Sequence, residues 1–300
     1  MKQAMVVVNP SSGKESGPDY TSKLIQVIMD QYDTVTIKQT RGDGDAQAFA
    51  QESAEQGYDA LYLVGGDGTI NEGINGIANQ DHRPVVGLVP LGTVNNASSM
   101  LGFAKNYDQA IQQFADVKTR KMDIGQVNDS YFVSSVVTGV LAASVKDVSA
   151  ESKTQLGPFA YIQESLSAFG DDSATDFSIS IDGEESQAQL SLIVVSVGNA
   201  LLRLQNLFPE ASIDDGCLNL VALEATNLGE KMGLISQVLT TGVQNSEKLD
   251  YIRCHSCQIK ALKEDKDHGA IVDGDFGPEL PLDIKVLPQH IEVFVPNEAF

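Results

Sequence analysis

The sequence predicts an α/β domain with a doubly wound parallel sheet, followed by an antiparallel, β-sandwich-like domain. Over the first 120 residues, short apolar runs alternate with segments of helical periodicity. From about Met122 onward, runs typical of β-strands dominate, separated by Asp-Gly, Asn and Pro turn signals. A chain of 300 residues is also longer than one hydrophobic core usually supports, which favours two domains.

The first domain contains four apolar runs that we predict as buried parallel strands. Three segments between them place their apolar residues on one helical face, as Ile70, Ile74 and Ile77 do in the third. In chain order the strands are QAMVVVNP, TVTIKQT, ALYLV and VVGLVP, and the helices are DYTSKLIQVIMDQY, DAQAFAQESAEQ and INEGINGIANQ.

The second domain is predicted to be mainly antiparallel β, with helical interruptions at about 142–170 and 227–244. We place the first domain at residues 1–122 and the second at 123–287, and a last strand at about 288–300 can return to the first domain. The predicted strands are SYFVSSVVTGV, FSISIDG, SQAQLSLIVVSV, CLNLVALEA, LDYIRCHSCQIKAL, GAIVDGDFG, LPLDIKVLP and HIEVFVP.

The charge balance excludes some classes of partner. Twenty Lys and Arg oppose 41 Asp and Glu, for a formal net charge of −21, so non-specific nucleic-acid binding is disfavoured. The same charge opposes attachment to an anionic membrane through charge alone. No apolar run approaches the roughly 20 residues of a membrane span, and three cysteines argue against a disulfide framework. We expect a soluble cytoplasmic protein.

The sharpest local pattern is Gly65-Gly66-Asp67-Gly68-Thr69, which follows a predicted strand and opens a predicted helix. Glycines let the backbone approach a ligand closely, and the N–H groups at a helix start attract phosphate. An acid in such a loop is suited to Mg²⁺ or a water bound to it. The alternative is a tight turn in which Asp67 caps the helix. The pattern is neither a P-loop nor a dinucleotide fingerprint.

A second glycine loop, Pro90-Leu91-Gly92-Thr93-Val94-Asn95-Asn96, follows the next predicted strand. Loops at the carboxyl ends of neighbouring parallel strands share one crevice, so both loops are predicted to face the same ligand. The alternative is that both are ordinary turns.

These motifs resemble the diacylglycerol kinase catalytic-domain family, which includes soluble bacterial lipid kinases and sphingosine kinases. GGDGTINE is followed about 20 residues later by the pattern P-x-GT-x-N. Further matches occur in the family's order at Asn9–Lys14, Met122–Gly125, Asp214–Leu218 and Val272–Asp275. The resemblance implies an ATP- and Mg²⁺-dependent kinase that acts on a lipid hydroxyl, most simply diacylglycerol, in a cleft between two domains.

The resemblance also assigns roles to individual residues. Asp67 and Asp123 are expected to order a water-bound Mg²⁺, although a lone carboxylate at a strand start, such as Asp123, is usually only solvated. The residues expected to contact ATP are Asn9, Ser12, Gly13, Lys14, Thr40, Gly66, Asp67, Gly68, Thr69, Ile70, Asn71, Glu72, Gly92, Thr93, Asn95 and Asn96.

A structural metal site is implied at Ser212, Asp215 and Cys217. There the Asp215 carboxylate would join the backbone carbonyls of the other two residues around Mg²⁺ or Ca²⁺, and oxygen ligands suit such hard cations. Asp-Asp-Gly is also a common hairpin turn, so a turn without metal is the alternative.

The catalytic base is expected in Asp273-Gly274-Asp275, where the family usually has Asp-Gly-Glu. Asp275 occupies the Glu position and would accept the proton of the lipid hydroxyl, while Asp273 tunes or positions it. The similar Asp182-Gly183-Glu184 is predicted to be a hairpin turn between two strands.

Two departures from the family keep other functions open. Asn96 stands where the family usually has Asp, and Leu202–Asn206 replaces a cluster of glycines. The alternatives are an NAD kinase, which also uses a GGDGT loop, and a non-catalytic nucleotide- or lipid-binding protein.

The expected partners are a lipid substrate and a transient contact with a membrane or a lipid carrier, which would place the protein peripherally at the inner membrane face. The sequence leaves open whether the protein forms a homodimer. The apolar stripe of the segment 155–170 is interpreted as core packing or as a wall of the acyl-chain groove. Cys254 and Cys257 are interpreted as reduced structural thiols.

Overall fold

The computed structural model describes residues 1–12, 17–92, 95–139, 174–199, 207–208, 210–224, 249–263 and 269–299, with a few single residues and pairs between 230 and 243. The chain divides into two compact units. Unit 1 comprises Met1–Ile124 and Gln289–Phe300, and unit 2 comprises Gly125–Pro288. The apolar stripe of 155–170, the segment Leu202–Asn206 and most of the predicted helix 227–244 lie outside the described residues.

Unit 1 is built on a parallel sheet with helices in the connections. Its four strands lie in the order β4-β3-β1-β2. The end of a late strand, β15 (Leu282–Pro296), joins β4 in parallel through Val293 and Val86. The strands are β1 (Gln3–Val8), β2 (Thr34–Gln39), β3 (Ala60–Gly65) and β4 (Val85–Pro90). The helices are α1 (Gly17–Ile28), α2 (Asp45–Glu55), α3 (Asp67–Ile77), α4 (Asn96–Met100) and α5 (Tyr107–Gln113), with a 3₁₀ turn at Met29–Gln31.

The core of unit 1 lies against the central strands β1 and β3. Met5, Val6 and Val7 of β1 are completely buried, as expected for a strand with a neighbour on either side in a covered parallel sheet. The predicted face of α3, formed by Ile70, Ile74 and Ile77, is completely buried as well. Because the strands are parallel, this packing brings the loops after β1, β3 and β4 to one edge of the sheet.

Unit 2 is antiparallel, and the predicted fold class is confirmed. Its strands lie in the order β14-β13-β7-β9-β8-β12-β15, while β10 pairs with β9 and β11. The strands are β5 (Val117–Val127, which begins in unit 1), β6 (Ser130–Phe132), β7 (Ser135–Gly139), β8 (Thr175–Ile181), β9 (Glu184–Val197), β10 (Leu218–Glu224), β11 (Leu249–Cys254), β12 (Ser256–Ala261), β13 (Gly269–Val272), β14 (Asp275–Glu279) and β15 (Leu282–Pro296, which ends in unit 1).

Three predicted strands are each two strands in the structure: SYFVSSVVTGV forms β6 and β7, GAIVDGDFG forms β13 and β14, and LDYIRCHSCQIKAL forms β11 and β12. Conversely, LPLDIKVLP and HIEVFVP form the single strand β15. β11 pairs with β10, whereas β12 pairs with β8 and β15, so the chain changes partners at His255. Cys254 and Cys257 lie on either side of this corner and are buried in the core of unit 2. Partner choice depends on distant segments, and local alternation of apolar residues does not report it. Within the described part of the chain, no helix has the length and apolar character needed to cross a membrane.

Candidate active site

The loop after β1 is connected to the start of α3 through Asn9. The Asn9 side-chain amide donates a hydrogen bond to Thr69 Oγ1 at 3.2 Å, and its backbone N–H donates to the carbonyl of Val64 at 3.0 Å. Asn9 Oδ1 accepts the N–H of Ser11 at 3.0 Å, which shapes the following turn. Asn9 therefore connects the first of the predicted phosphate-binding segments to the GGDGT loop.

Asp67 connects the two glycine loops. Its carboxylate oxygens accept hydrogen bonds from the backbone N–H groups of Asn95 and Asn96, each at 2.9 Å. The helix cap is Gly66, and Asp67 is the first residue of α3, so the alternative that Asp67 caps its own helix is wrong. A carboxylate accepting two N–H groups is held in one orientation, with its negative charge at the site.

Glycine is required where the two loops meet. A Cβ on Gly92 would lie 2.6 Å from Cα of Gly66 and 2.8 Å from Oδ1 of Asn95, so no other residue fits there. A Cβ on Gly65 would similarly overlap the side chain of Thr69, at 2.6 Å from its Cβ. The loops thus present closely spaced backbone, as a phosphate-binding cradle requires.

The second loop is fixed by contacts that the sequence did not suggest. Asn95, with a left-handed φ of 54°, accepts the N–H of Gly92 and donates to the carbonyl of Gly92, both at 2.7 Å. The hydroxyl of Tyr107 on α5 donates to the same carbonyl at 3.0 Å. Tyr107 stands apart from the recognisable motifs, so only the tertiary structure reveals this contact.

Other predicted ATP contacts have structural roles. Ile70 is completely buried, and its N–H donates to the carbonyl of Gly66 at 3.1 Å. Glu72 Oε2 accepts the N–H of Ala46 at the start of α2, at 3.2 Å. Thr40 is buried, with its N–H on the carbonyl of Val8 at 2.9 Å.

The remaining predicted contacts are partly covered. Ser12 lies in the turn after β1, with its N–H on the carbonyl of Asn9 at 3.2 Å. Asn71 accepts hydrogen bonds from the side-chain amide of Asn75 at its backbone carbonyl and its Oδ1. Gly68 is half-buried in the first turn of α3. Gly13, Lys14 and Thr93 lie outside the described residues.

Asp123 is completely buried, which corrects the alternative that it is merely solvated at a strand start. Its Oδ1 accepts the backbone N–H of Gln289 at 2.6 Å, and Gln289 has a left-handed φ of 49°. The bond joins β5 to the returning C-terminal segment within unit 1. A buried carboxylate requires such a partner because burial removes its hydration.

Asp273 is a structural residue of unit 2. It is 4% exposed, and its carboxylate accepts the backbone N–H groups of Val133, Ser134 and Ser135 at 2.8–2.9 Å. Its own φ is 50°, and Gly274 follows at 98°, as in a tight hairpin turn. These contacts fit the positioning role expected of Asp273, which stays a prediction.

Asp275 is the first residue of β14, is exposed, and lies opposite Val272 in the hairpin. Phe276, the next residue, is also exposed, at 60%. Since Asp273 anchors the turn and Asp275 comes two residues later, this hairpin fixes the backbone position of Asp275.

The Asp182-Gly183 motif, which is similar to Asp273-Gly274, forms the predicted hairpin turn between β8 and β9. The Asp182 carboxylate accepts the N–H groups of His255 and Ser256, at 3.0 Å and 2.8 Å. Burial alone would raise the pKa of Asp182, but these hydrogen bonds outweigh it and hold the pKa below its usual range.

The predicted structural metal site lies in a turn where the Asp215 carboxylate already has protein partners. The Asp215 carboxylate accepts the N–H groups of Ser212 and Cys217 and pairs with Arg253 at 2.7 Å. In the part of the chain that the structure describes, no group of three or more His, Cys, Asp or Glu residues is arranged to hold a metal ion.

A parallel α/β unit with paired glycine loops, followed by an antiparallel β unit, is the architecture of the GGDGT-type kinases. Comparison with known families agrees with this. The model of the diacylglycerol kinase catalytic domain matches residues 3–127, and that of the YegS C-terminal NAD kinase beta sandwich-like domain matches residues 134–295.

Proteins similar to this chain over nearly its whole length are named diacylglycerol kinases. A diacylglycerol kinase of Staphylococcus epidermidis is 34% identical over 100% of this chain and 94% of its own length. One of Staphylococcus saprophyticus is 34% identical over 99% of this chain and 96% of its own. A crystal structure of a diacylglycerol kinase from Bacillus anthracis superposes with a TM-score of 0.82 at 23% identity, covering 99% and 97% of the two chains. The chain belongs to the diacylglycerol kinase family, and it is a lipid kinase.

Proposed function

We propose that the protein transfers the γ-phosphoryl group of ATP to the hydroxyl of diacylglycerol, with Mg²⁺ as cofactor, and so produces phosphatidic acid. The observation that carries the proposal is the link from Asp67 to Asn95 and Asn96, which couples two glycine loops at one edge of a parallel sheet. The relatives are named diacylglycerol kinases, which supports diacylglycerol as the acceptor.

Unit 1 would bind the nucleotide. The backbone of Gly66–Thr69 and the second N–H of the Asn9 side-chain amide suit phosphate oxygens. Glycine at position 92 keeps the space between the loops open, since a Cβ there would fill it. When bound, Mg²⁺ neutralises charge on the phosphates. The oriented Asp67 carboxylate fits a role in holding a water of that ion. Asp123 is completely enclosed by protein, so we restrict this role to Asp67.

Unit 2 would supply the base. In direct in-line transfer, the lipid hydroxyl oxygen bonds to the γ-phosphorus, the bond to the leaving ADP oxygen breaks, and the hydroxyl proton passes to a carboxylate. Asp275 is exposed and follows a turn that Asp273 anchors through three backbone N–H groups. The exposed Phe276 supports a transient apolar contact with a membrane or a carrier, since the chain's net charge of −21 disfavours electrostatic attachment.

The test is transfer of labelled γ-phosphate from ATP, with Mg²⁺, to diacylglycerol, sphingosine, an undecaprenol-type alcohol and NAD, with the lipids in mixed micelles. Labelled phosphatidic acid is the expected product. Label in another lipid keeps the lipid kinase and changes the substrate, and label in NAD alone contradicts the proposal. Intact ATP binding without transfer to any acceptor would indicate a non-catalytic homologue, for which Asn96 is the first residue to change.

A further inference from the structure

The turn before β10 is organised around the carboxylate of Asp215. Oδ2 accepts the backbone N–H of Ser212 at 2.8 Å, and Oδ1 accepts that of Cys217 at 2.9 Å. Gly216, between them, has a φ of 71°, which lets the chain reverse around the carboxylate. The carboxylate is therefore fixed by its own loop, whatever lies on its outer side.

A cation of the chain itself reaches this carboxylate. Arg253 Nη2 donates to Asp215 Oδ2 at 2.7 Å. Arg253 is held by strand pairing, since β11 places it opposite Asn219 of β10. The side chain of Asp215 is 16% exposed and that of Arg253 is 31% exposed. Because both partners are anchored and partly desolvated, the pair loses less conformational entropy and is screened less than a mobile surface pair.

The contacts leave little capacity for a metal ion. An ionised carboxylate offers about four acceptor positions, and three of those of Asp215 are used, two of them on Oδ2. A divalent cation would need several oxygen ligands and would lie beside a guanidinium of like charge. We propose that Arg253 supplies the positive charge at this turn in place of a structural metal ion. The turn is then complete without Mg²⁺ or Ca²⁺, independently of any metal used in phosphate transfer.

Replacing Arg253 should have a larger effect than replacing an ordinary surface cation. Arg253→Gln removes the positive charge and leaves the Asp215 carboxylate, with its two backbone donors, facing solvent. The acceptor position on Oδ2 that Arg253 occupied is then open to a divalent cation, without a competing guanidinium. We therefore expect the substitution to destabilise the protein and to create a response to divalent cations.

The experiment is thermal unfolding of the full chain without nucleotide, in EDTA and in excess Mg²⁺ or Ca²⁺. The wild-type Tm should be the same in all three conditions. Arg253→Gln should lower the Tm in EDTA by about 1–4 °C, and the divalent ions should recover part of this loss. Arg253→Lys should retain most of the wild-type Tm, since only one guanidinium nitrogen contacts Asp215. Lys263→Gln, which removes a more exposed ion pair with Asp176, is the matched control and should show neither effect.

Metal analysis of the purified wild-type protein gives a second readout that does not require any variant to fold. One Mg²⁺ or Ca²⁺ retained per chain after dialysis, and lost in Asp215→Asn, would overturn the proposal, as would a wild-type Tm that EDTA lowers unless Asp215 is replaced. An Arg253→Gln variant indistinguishable from Lys263→Gln would also overturn it. A metal response that persists in Asp215→Asn arises elsewhere in the chain and supports a metal-free turn.

Discussion

The carboxylate of Asp67 accepts the backbone N–H of Asn96, 29 residues away in the chain, at 2.9 Å. With the matching bond to Asn95, this contact attaches the start of α4 to the start of α3. The two loops that carry the glycines are therefore one structural unit.

Asp67→Asn should reduce turnover by about 10²-fold or more, in line with the loss of a group acting in general acid–base chemistry or charge stabilisation. The Asn amide has only one acceptor oxygen, so one of the two N–H groups of Asn95 and Asn96 loses its partner, and the negative charge is removed as well. Steady-state kinetics with saturating ATP measures the effect. Asp59→Asn, which also removes a carboxylate bonded to a backbone N–H, should leave turnover unchanged. Equal losses in both variants would contradict the role of Asp67.

Asp275→Asn should reduce turnover by about 10²-fold or more while leaving the Tm nearly unchanged, because the side chain is exposed and the lost group acts as a base. Asp275→Glu, with the family's usual side chain, should retain or raise activity. Glu279→Gln on the same strand is the control for removing an exposed carboxylate. Full activity in Asp275→Asn would refute Asp275 as the base.

Asp273→Asn should lower the free energy of unfolding by about 2–4 kcal/mol, because a buried carboxylate bonded to three backbone N–H groups becomes a neutral amide with one acceptor. Chemical denaturation with urea checks this value. Turnover should fall with it at temperatures where the protein remains folded, since the turn that carries Asp275 loosens. An Asp273→Asn variant of wild-type stability but no activity would instead indicate that Asp273 touches the substrate.

Asp182 should contribute stability that disappears in acid. Its pKa is lower in the folded than in the unfolded protein, so the contribution is present above the unfolded value of about 3.9 and is lost as the pH falls through the folded one. Wild type and Asp182→Asn should differ in Tm at pH 6, and the difference should shrink as the pH falls toward 3. A difference that stays constant over this range would show that charge on Asp182 does not stabilise the corner at His255.

The limits of sequence reasoning are clearest at two similar motifs. The sequence predicts a hairpin turn at Asp182-Gly183-Glu184 and a catalytic segment, with Asp275 as the base, at Asp273-Gly274-Asp275. In the structure both are hairpin turns whose first residue has a φ near 50°, and both carboxylates accept backbone N–H groups of distant segments. The dipeptide specifies the turn locally. Which N–H groups each carboxylate meets depends on strands more than 70 positions away.

The sequence by itself determined the chain order of the strands β1–β4 and the helices α1–α3 of unit 1, the β character of unit 2 and the position of both glycine loops. These follow from periodicity and from glycine, which act over a few residues, and Ile70, Ile74 and Ile77 are buried as their spacing predicts. The short helices α4 and α5 were missed because they span only five and seven residues. Only the tertiary structure decided that Asp67 joins the loops, that Asp273 is buried and that Arg253 meets Asp215. Each of these depends on pairing between residues distant in the chain, which no local pattern encodes.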